Sequence, residues 1–239
     1  MSIKGGERVE QGYILLIGVC IIAVGVLVLN IGAVLHNRYL MLKIVCIVLF
    51  VFSMLRYFTL IVYGDFPTYQ QLMTLRYFYL ASSIGLTIPT VSALWYIVPL
   101  YRESIAYKHY LLFFTPWIIF YGYVIITQPT EIVQGASFGY ALELTGRFPI
   151  YLSIAQSAMI AVIIILSVIG IVKYKNLQLR VQLIVIILAQ LTLLLDGLSY
   201  FIEIPRTFPR FTVSEIFGFL AIFYAFSVKM IEHKGIMNK

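Results

Sequence analysis

Two side chains carry charge where the surrounding residues leave little room for it: Arg56 and Asp196 each lie about seven residues inside the end of a long apolar stretch. At a helical rise of 1.5 Å per residue that is roughly 10 Å below a membrane surface, where a lone charge is costly and finds a partner or water. An ion pair between the two is the expected chemistry. Arg76 and Glu203, nearer the ends of their stretches, would extend the pair into a polar floor, and Gln156 and Gln190 supply uncharged hydrogen-bonding groups at greater depth. The candidate ligand-binding set is therefore Arg56, Arg76, Gln156, Asp196 and Glu203. A buried Arg/Asp pair serves equally well to fix helix packing, and Arg56 and Arg76 can stretch toward the interface. Both a ligand-facing and a structural role stay open on sequence grounds.

Other chemistry-bearing residues point less far. Arg147, Arg206 and Arg210 would suit an anionic or peptide ligand at the mouth of a bundle, or would be ordinary solvated loop charges. Tyr57, Tyr63, Tyr69, Tyr77 and Tyr79 cluster around one connection, as an interfacial aromatic belt or as the lining of a ligand pocket. His36, His109 and His233 are too separated, and too lightly supported by carboxylates, to argue a metal site. There is no Gly-rich phosphate loop, nucleophile elbow or His-Glu-x-x-His pattern. A retinal chromophore would need a lysine well inside the last apolar segment, and Lys229 lies at its end. The expectation is a non-enzymatic protein with no cofactor and no metal.

These residues need elements to position them, and composition says which. The 239 residues are 62% hydrophobic, with 17 basic and 10 acidic side chains, and the mean hydropathy is +0.97. Such a chain is solvated by lipid. Windows of about 19 residues predict seven transmembrane helices at about 13–35, 40–63, 75–100, 109–127, 149–173, 180–201 and 213–230. The first is too long for a signal-peptide core and lacks a cleavage site, so it reads as retained. The fold class expected is an all-α, single-domain, seven-helix bundle over 1–239.

An odd number of spans puts the termini on opposite sides, and cation placement says which is which. Arg38, Lys43, Arg102, Lys108, Lys173, Lys175, Arg180, Lys229, Lys234 and Lys239 share one side with Glu103 and Glu232 alone. The other side carries seven cations against eight acids. The first side reads as cytoplasmic, with the N-terminus out and the C-terminus in. The net charge of +7 thus follows the two faces of a membrane, and nucleic acid is not expected as a partner.

The longest connection, 128–148, lies on the outer side and contains Gly135, Gly139, Gly146, Phe138 and Tyr140 with an alternating run around 136–142. It would form a short β-hairpin or lid, or a flexible loop. Pro89, Pro99 and Pro116 each remove a backbone hydrogen bond and favour kinks, with Thr87, Thr90 and Ser92 near enough to re-satisfy a carbonyl. Pro205 and Pro209 favour a stiff outer loop. Cys20 and Cys46 fall in segments of opposite direction and read as small buried side chains rather than a disulfide.

The stretches LRYFYLASSIGLTIPTVSALWYIVPLYR from Leu75, YLLFFTPWIIFYGYVIIT from Tyr110, and the closing EIFGFLAIFYAFSVKM resemble the seven-transmembrane sensor region found at the N-terminus of prokaryotic histidine kinases. The resemblance covers most of the chain, and its second half more clearly. It implies a receptor-like module at the cell membrane, multi-pass, whose outer half receives a stimulus and whose seventh helix passes it inward. The nine residues after Met230 hold no phosphoacceptor helix or ATP-binding domain, so either a separate cytoplasmic partner would read the bundle or the function differs from that of the relatives. The tail SVKMIEHKGIMNK would contact that partner or anionic lipid, or serve as a positive-inside anchor. The expected partners are the lipid bilayer, a small-molecule or peptide ligand at the outer face, and a cytoplasmic signalling protein. The competing expectation is a subunit, accessory or immunity protein of a membrane complex, or a small-solute transporter; the absence of an internal repeat weighs against the last.

Overall fold

A computed structural model of the chain describes residues 3–135, 138–198, 201 and 208–228. Of these, 81% are helical. The elements run α1 (Ile3–Leu35), α2 (Leu40–Gly64), α3 (Tyr69–Tyr79), α4 (Ala81–Ile97), α5 (Pro99–Ser104), α6 (Tyr107–Phe113), α7 (Thr115–Thr127), β1 (Thr130–Gln134), β2 (Tyr140–Leu144), α8 (Phe148–Lys173), α9 (Leu177–Leu198) and α10 (Thr212–Ser227).

Five helical stretches among the described residues are long and apolar enough to cross a membrane: Gln11–Leu35, Leu40–Gly64, Tyr69–Ile97, Phe148–Lys173 and Leu177–Leu198. A sixth arises if α6 and α7, bent by 59° at their junction, are counted as one span. The architecture is that of a multi-pass membrane protein. The seventh predicted segment corresponds to α10, whose 16 described residues are apolar but short; its expected end at Met230 lies outside the described residues.

Prolines account for two of the places where the helices differ from the expected boundaries. Val98 is extended (φ −90°, ψ 110°) because the residue before a proline is pushed out of the helical region, so α4 stops at Ile97 and Pro99 opens α5 as an N-terminal residue. Pro116 likewise sits in the first turn of α7, just after the bend. Pro89 alone stays inside a helix. Thr87, Thr90 and Ser92 donate to the carbonyls of Ser83, Leu86 and Ile88, four residues back on their own helix. The third predicted span starts earlier, at Tyr69, under a capping box in which Thr68 and Gln71 exchange side-chain and backbone hydrogen bonds. It is broken at Leu80, which has non-helical angles.

In lipid, helices associate through close van der Waals packing and interhelical hydrogen bonds. The α4 span is 72% buried, against 28% for α8 and 33% for α1, so α4 is the central helix. It packs on α2 and α10 and also touches α7, α8 and α9. Gly85 permits its close approach to α2: a Cβ there would fall 1.7 Å from Ser53 Oγ and 2.9 Å from the Leu49 carbonyl. Both cysteines are buried free thiols, as expected.

The connection 128–148 is a hairpin. β1 and β2 pair antiparallel from Thr130↔Leu144 to Gln134↔Tyr140, and Ile132 and Leu142 pack against the core. Gly139 has φ +58° and lies on the end of α2, where a Cβ would meet the Tyr63 carbonyl at 2.1 Å. The Phe138 ring lies 6.0 Å from that of Tyr13, tilted by 59°, and the Tyr13 hydroxyl donates to the Ile61 carbonyl at 3.0 Å. The hairpin thus covers the end of α2 and the Gly12–Tyr13 stretch of α1 beside it.

Candidate functional site

Arg56 is 2% exposed, on α2. One guanidinium nitrogen, Nη1, donates to the Tyr79 carbonyl, and Nη2 donates to the Arg210 carbonyl at 2.8 Å. The helix break at Leu80 makes the first contact available, since a carbonyl in the last turn of a helix has no intrahelical donor. The Tyr79 ring also lies under the guanidinium, 5.4 Å from Cζ.

The carboxylate facing Arg56 is Glu215, in the first turn of α10, with Oε2 3.1 Å from Arg56 Nε. That approach is not aligned as a hydrogen bond, so the attraction between these two groups is mainly one of charge. Directed bonds to Glu215 come from neutral donors: Ser82 Oγ to Oε1 at 2.6 Å and Tyr57 OH to Oε2 at 3.1 Å. Glu215 is 5% exposed, Ser82 1% and Tyr57 0%. The pair therefore pins α2, α3, α4 and α10 together in a place that water does not freely reach.

Glu215, rather than the expected Asp196, supplies the carboxylate at Arg56 Nε. Asp196, on α9, instead holds the start of α10: its Oδ2 accepts from the Phe211 N–H at 2.9 Å and from Ser214 Oγ at 2.7 Å. This is helix capping from a neighbouring helix, with a carboxylate at the positive end of the α10 dipole. It also fixes Phe211 in the left-handed region at φ +66°, a conformation that costs a non-glycine residue about 1–3 kcal/mol.

A cavity of about 50 Å³ opens beside the pair, lined by Arg56, Ser83, Thr87, Gln156, Gln190 and Glu215 among others. At roughly 10–15 Å³ per enclosed water it holds a few water molecules or one small polar group. Arg56 and Gln156 of the expected set meet here, and Asp196 joins through Phe211, which lines the same space. Arg76 does not line it. Half-buried on α3, it stacks on Tyr77 with Cζ 5.3 Å from the ring centroid, and its Nε finds no hydrogen-bond acceptor among the described residues. Glu203 lies outside the described residues, as does Arg206.

Tyr57 and Tyr79 touch the pair and Tyr63 packs on Tyr79, all three buried, whereas Tyr69 and Tyr77 are exposed; none of the five lines the cavity. Sequence reasoning missed Glu215 as a site residue. The available signal was its standing as the sole acid of the last apolar segment. Three further polar ties hold the bundle: Asn30 Nδ2 to the Phe219 carbonyl at 2.9 Å, Gln182 Nε2 to the Ala225 carbonyl at 3.2 Å, and Trp117 Nε1 to the Ala155 carbonyl at 3.1 Å. Among the described residues, no three His, Cys, Asp or Glu side chains converge as a metal set.

Comparison with protein-family models and with curated proteins returns no match for this chain.

Proposed function

We propose that this chain is a non-enzymatic, receptor-like sensor in the cell membrane, with seven spans, its N-terminus outside and its C-terminus in the cytoplasm. A small ligand at the outer half of the bundle biases two packings, and the inner ends of α8, α9 and α10 report the difference to a separate cytoplasmic partner. The observation that carries this reading is the buried Arg56–Glu215 pair beside a polar cavity, because it joins the position of α10 to whatever occupies that cavity. α10 is held at its start by Glu215 and by Asp196, and near its far end by Gln182. A ligand that competes for any hydrogen bond at the start changes the strain on the contact at the end. It shifts the equilibrium only by the difference in its affinity for the two packings.

A permease would need polar groups through the whole thickness of the membrane, and this cavity runs into Leu86, Met159 and Ile160. That arrangement favours a receiving site over a path.

Purification from the native membrane in mild detergent, followed by identification of co-purifying proteins, tests the reading. A cytoplasmic kinase or regulator is expected, retained by the wild type and released or tightened in Arg56→Ala and Glu215→Ala. Recovery of a membrane-embedded enzyme, indifferent to both substitutions, would reassign the chain as a complex subunit.

A further inference from the structure

A second, larger hollow lies between the outer halves of α8 and α9. It measures about 310 Å³ and is lined by Ile150, Ile154, Leu194, Leu198 and Phe201, with Ser153, Gln156 and Ser157 on one wall. That volume is at the lower end of the range of about 300–1,000 Å³ typical of small-molecule sites. Ile150, Ile154 and Leu198 are exposed on helices apolar enough to span a membrane, and Phe201, beyond the end of α9, is exposed as well, so the mouth faces hydrocarbon rather than water. Gln156 and Leu193 line both this hollow and the cavity beside Arg56 and Glu215.

The junction between them is narrow and specific. Gly197 stands at it: a Cβ there would lie 3.8 Å from Gln156 Oε1 and 3.9 Å from Phe211 Cε1. The absence of a side chain on α9 keeps the passage open, and Phe211, held in its left-handed conformation by Asp196, forms the opposite edge. Ser153 Oγ is buried against the hollow and makes no hydrogen bond among the described residues, so a polar group there would find a ready partner.

We infer that the ligand is a single-chain amphiphile with a small, uncharged hydrogen-bonding head, which reaches the site sideways from the bilayer between α8 and α9. The tail lies in the hollow, and the head bonds Ser153 and Gln156 at the mouth of the inner cavity. The head is uncharged because Arg56 and Glu215 already balance each other, and a further buried charge would stand without a counter-ion. This inference rests on the receptor reading above and supplies the chemical class of its ligand.

Photolabelling tests it without any signalling readout. The purified full chain is reconstituted in phosphatidylcholine vesicles, irradiated with diazirine-bearing dodecanol, and mapped by peptide mass spectrometry. Saturable labelling is expected at 153–157 and 193–198, competed by dodecanol and not by dodecyl sulfate. Gly197→Leu should reduce it by roughly tenfold, the effect of overfilling a closed site with a few extra carbons. Gly197→Ala, whose methyl makes only ordinary contacts, should fold normally and reduce it less. Ser153→Ala should weaken saturation while leaving labelling at lipid-facing Val48 unchanged. Labelling that fails to saturate, or that Gly197→Leu leaves intact, reduces the hollow to ordinary lipid contact. If the Arg56 and Glu215 variants still alter partner retention in that event, the lateral route fails and the receptor reading survives.

Discussion

At the scale of single residues, magnitude separates the polar groups of this bundle. Removing one member of a buried ion pair leaves the other charge uncompensated, a loss of about 3–5 kcal/mol, whereas exchanging both for apolar groups is often neutral. Glu215→Ala is therefore expected to destabilise the protein by about that amount in detergent unfolding. Glu215→Leu combined with Arg56→Met should regain most of it, and a double variant no more stable than the single one would show that the pair is not the source. Asn30 offers a contrast. It is fully buried and donates to α10, but its Oδ1 has no partner among the described residues, and an interhelical hydrogen bond in a membrane protein contributes about 0.6 kcal/mol on average. Asn30→Ala should cost less than about 1 kcal/mol in the same measurement; a loss as large as that of Glu215→Ala would give Asn30 an unforeseen role. Arg56 was legible in the sequence as a charge within an apolar segment, and it is buried, whereas its carboxylate was not legible. A glutamate in the first turn of a helix ordinarily faces water, and Glu215 is buried because α2 and α4 pack over it.

At the scale of elements, two glycines decide how close neighbours come. Gly85→Ala would drive a methyl into Ser53 Oγ and, at 2.9 Å, toward the backbone carbonyl of Leu49. A destabilisation of about 1–3 kcal/mol is expected. Ser53→Gly should recover only part of it, since the carbonyl stays in place, and full recovery would mean that the hydroxyl is the whole obstacle. Gly139 combines a positive φ with contact against Tyr63 and Gly64, so Gly139→Ala should lift the hairpin from the end of α2. Limited proteolysis would then cut faster near the hairpin while the thermal unfolding of the helices stays unchanged; equal cutting of both proteins would argue that the hairpin is seated by Phe138 alone. The alternation in this loop was visible in the sequence, but a flexible loop was the favoured reading there, and the structure forms the hairpin instead. A two-stranded hairpin is marginal by itself, and packing of Ile132, Phe138 and Leu142 on the bundle makes it stable.

At the scale of the whole molecule, the testable property is sidedness. On the proposed topology of seven spans with the cations on the cytoplasmic face, a tag at the N-terminus should be reached by an impermeant reagent from outside whole cells, and one at the C-terminus only after permeabilisation. Both tags on one side would remove a span and the orientation with it. Hydrophobicity and length are sums over neighbouring residues, so the apolar character and places of the long helices, and the positions of Arg56 and Asp196 within them, could be read along the chain. Direction around a helix axis and the turn made at each break are not sums of that kind. The break at Leu80 presents the Tyr79 carbonyl to Arg56, the left-handed Phe211 sets α10 so that Glu215 faces α2, and Asp196 is drawn to the start of that helix. Only the three-dimensional packing of α2, α4, α9 and α10 decides which buried charges meet, because it alone brings residues some 150 positions apart in the chain to within bonding distance, as Tyr57 and Glu215 with their separation of 158 illustrate.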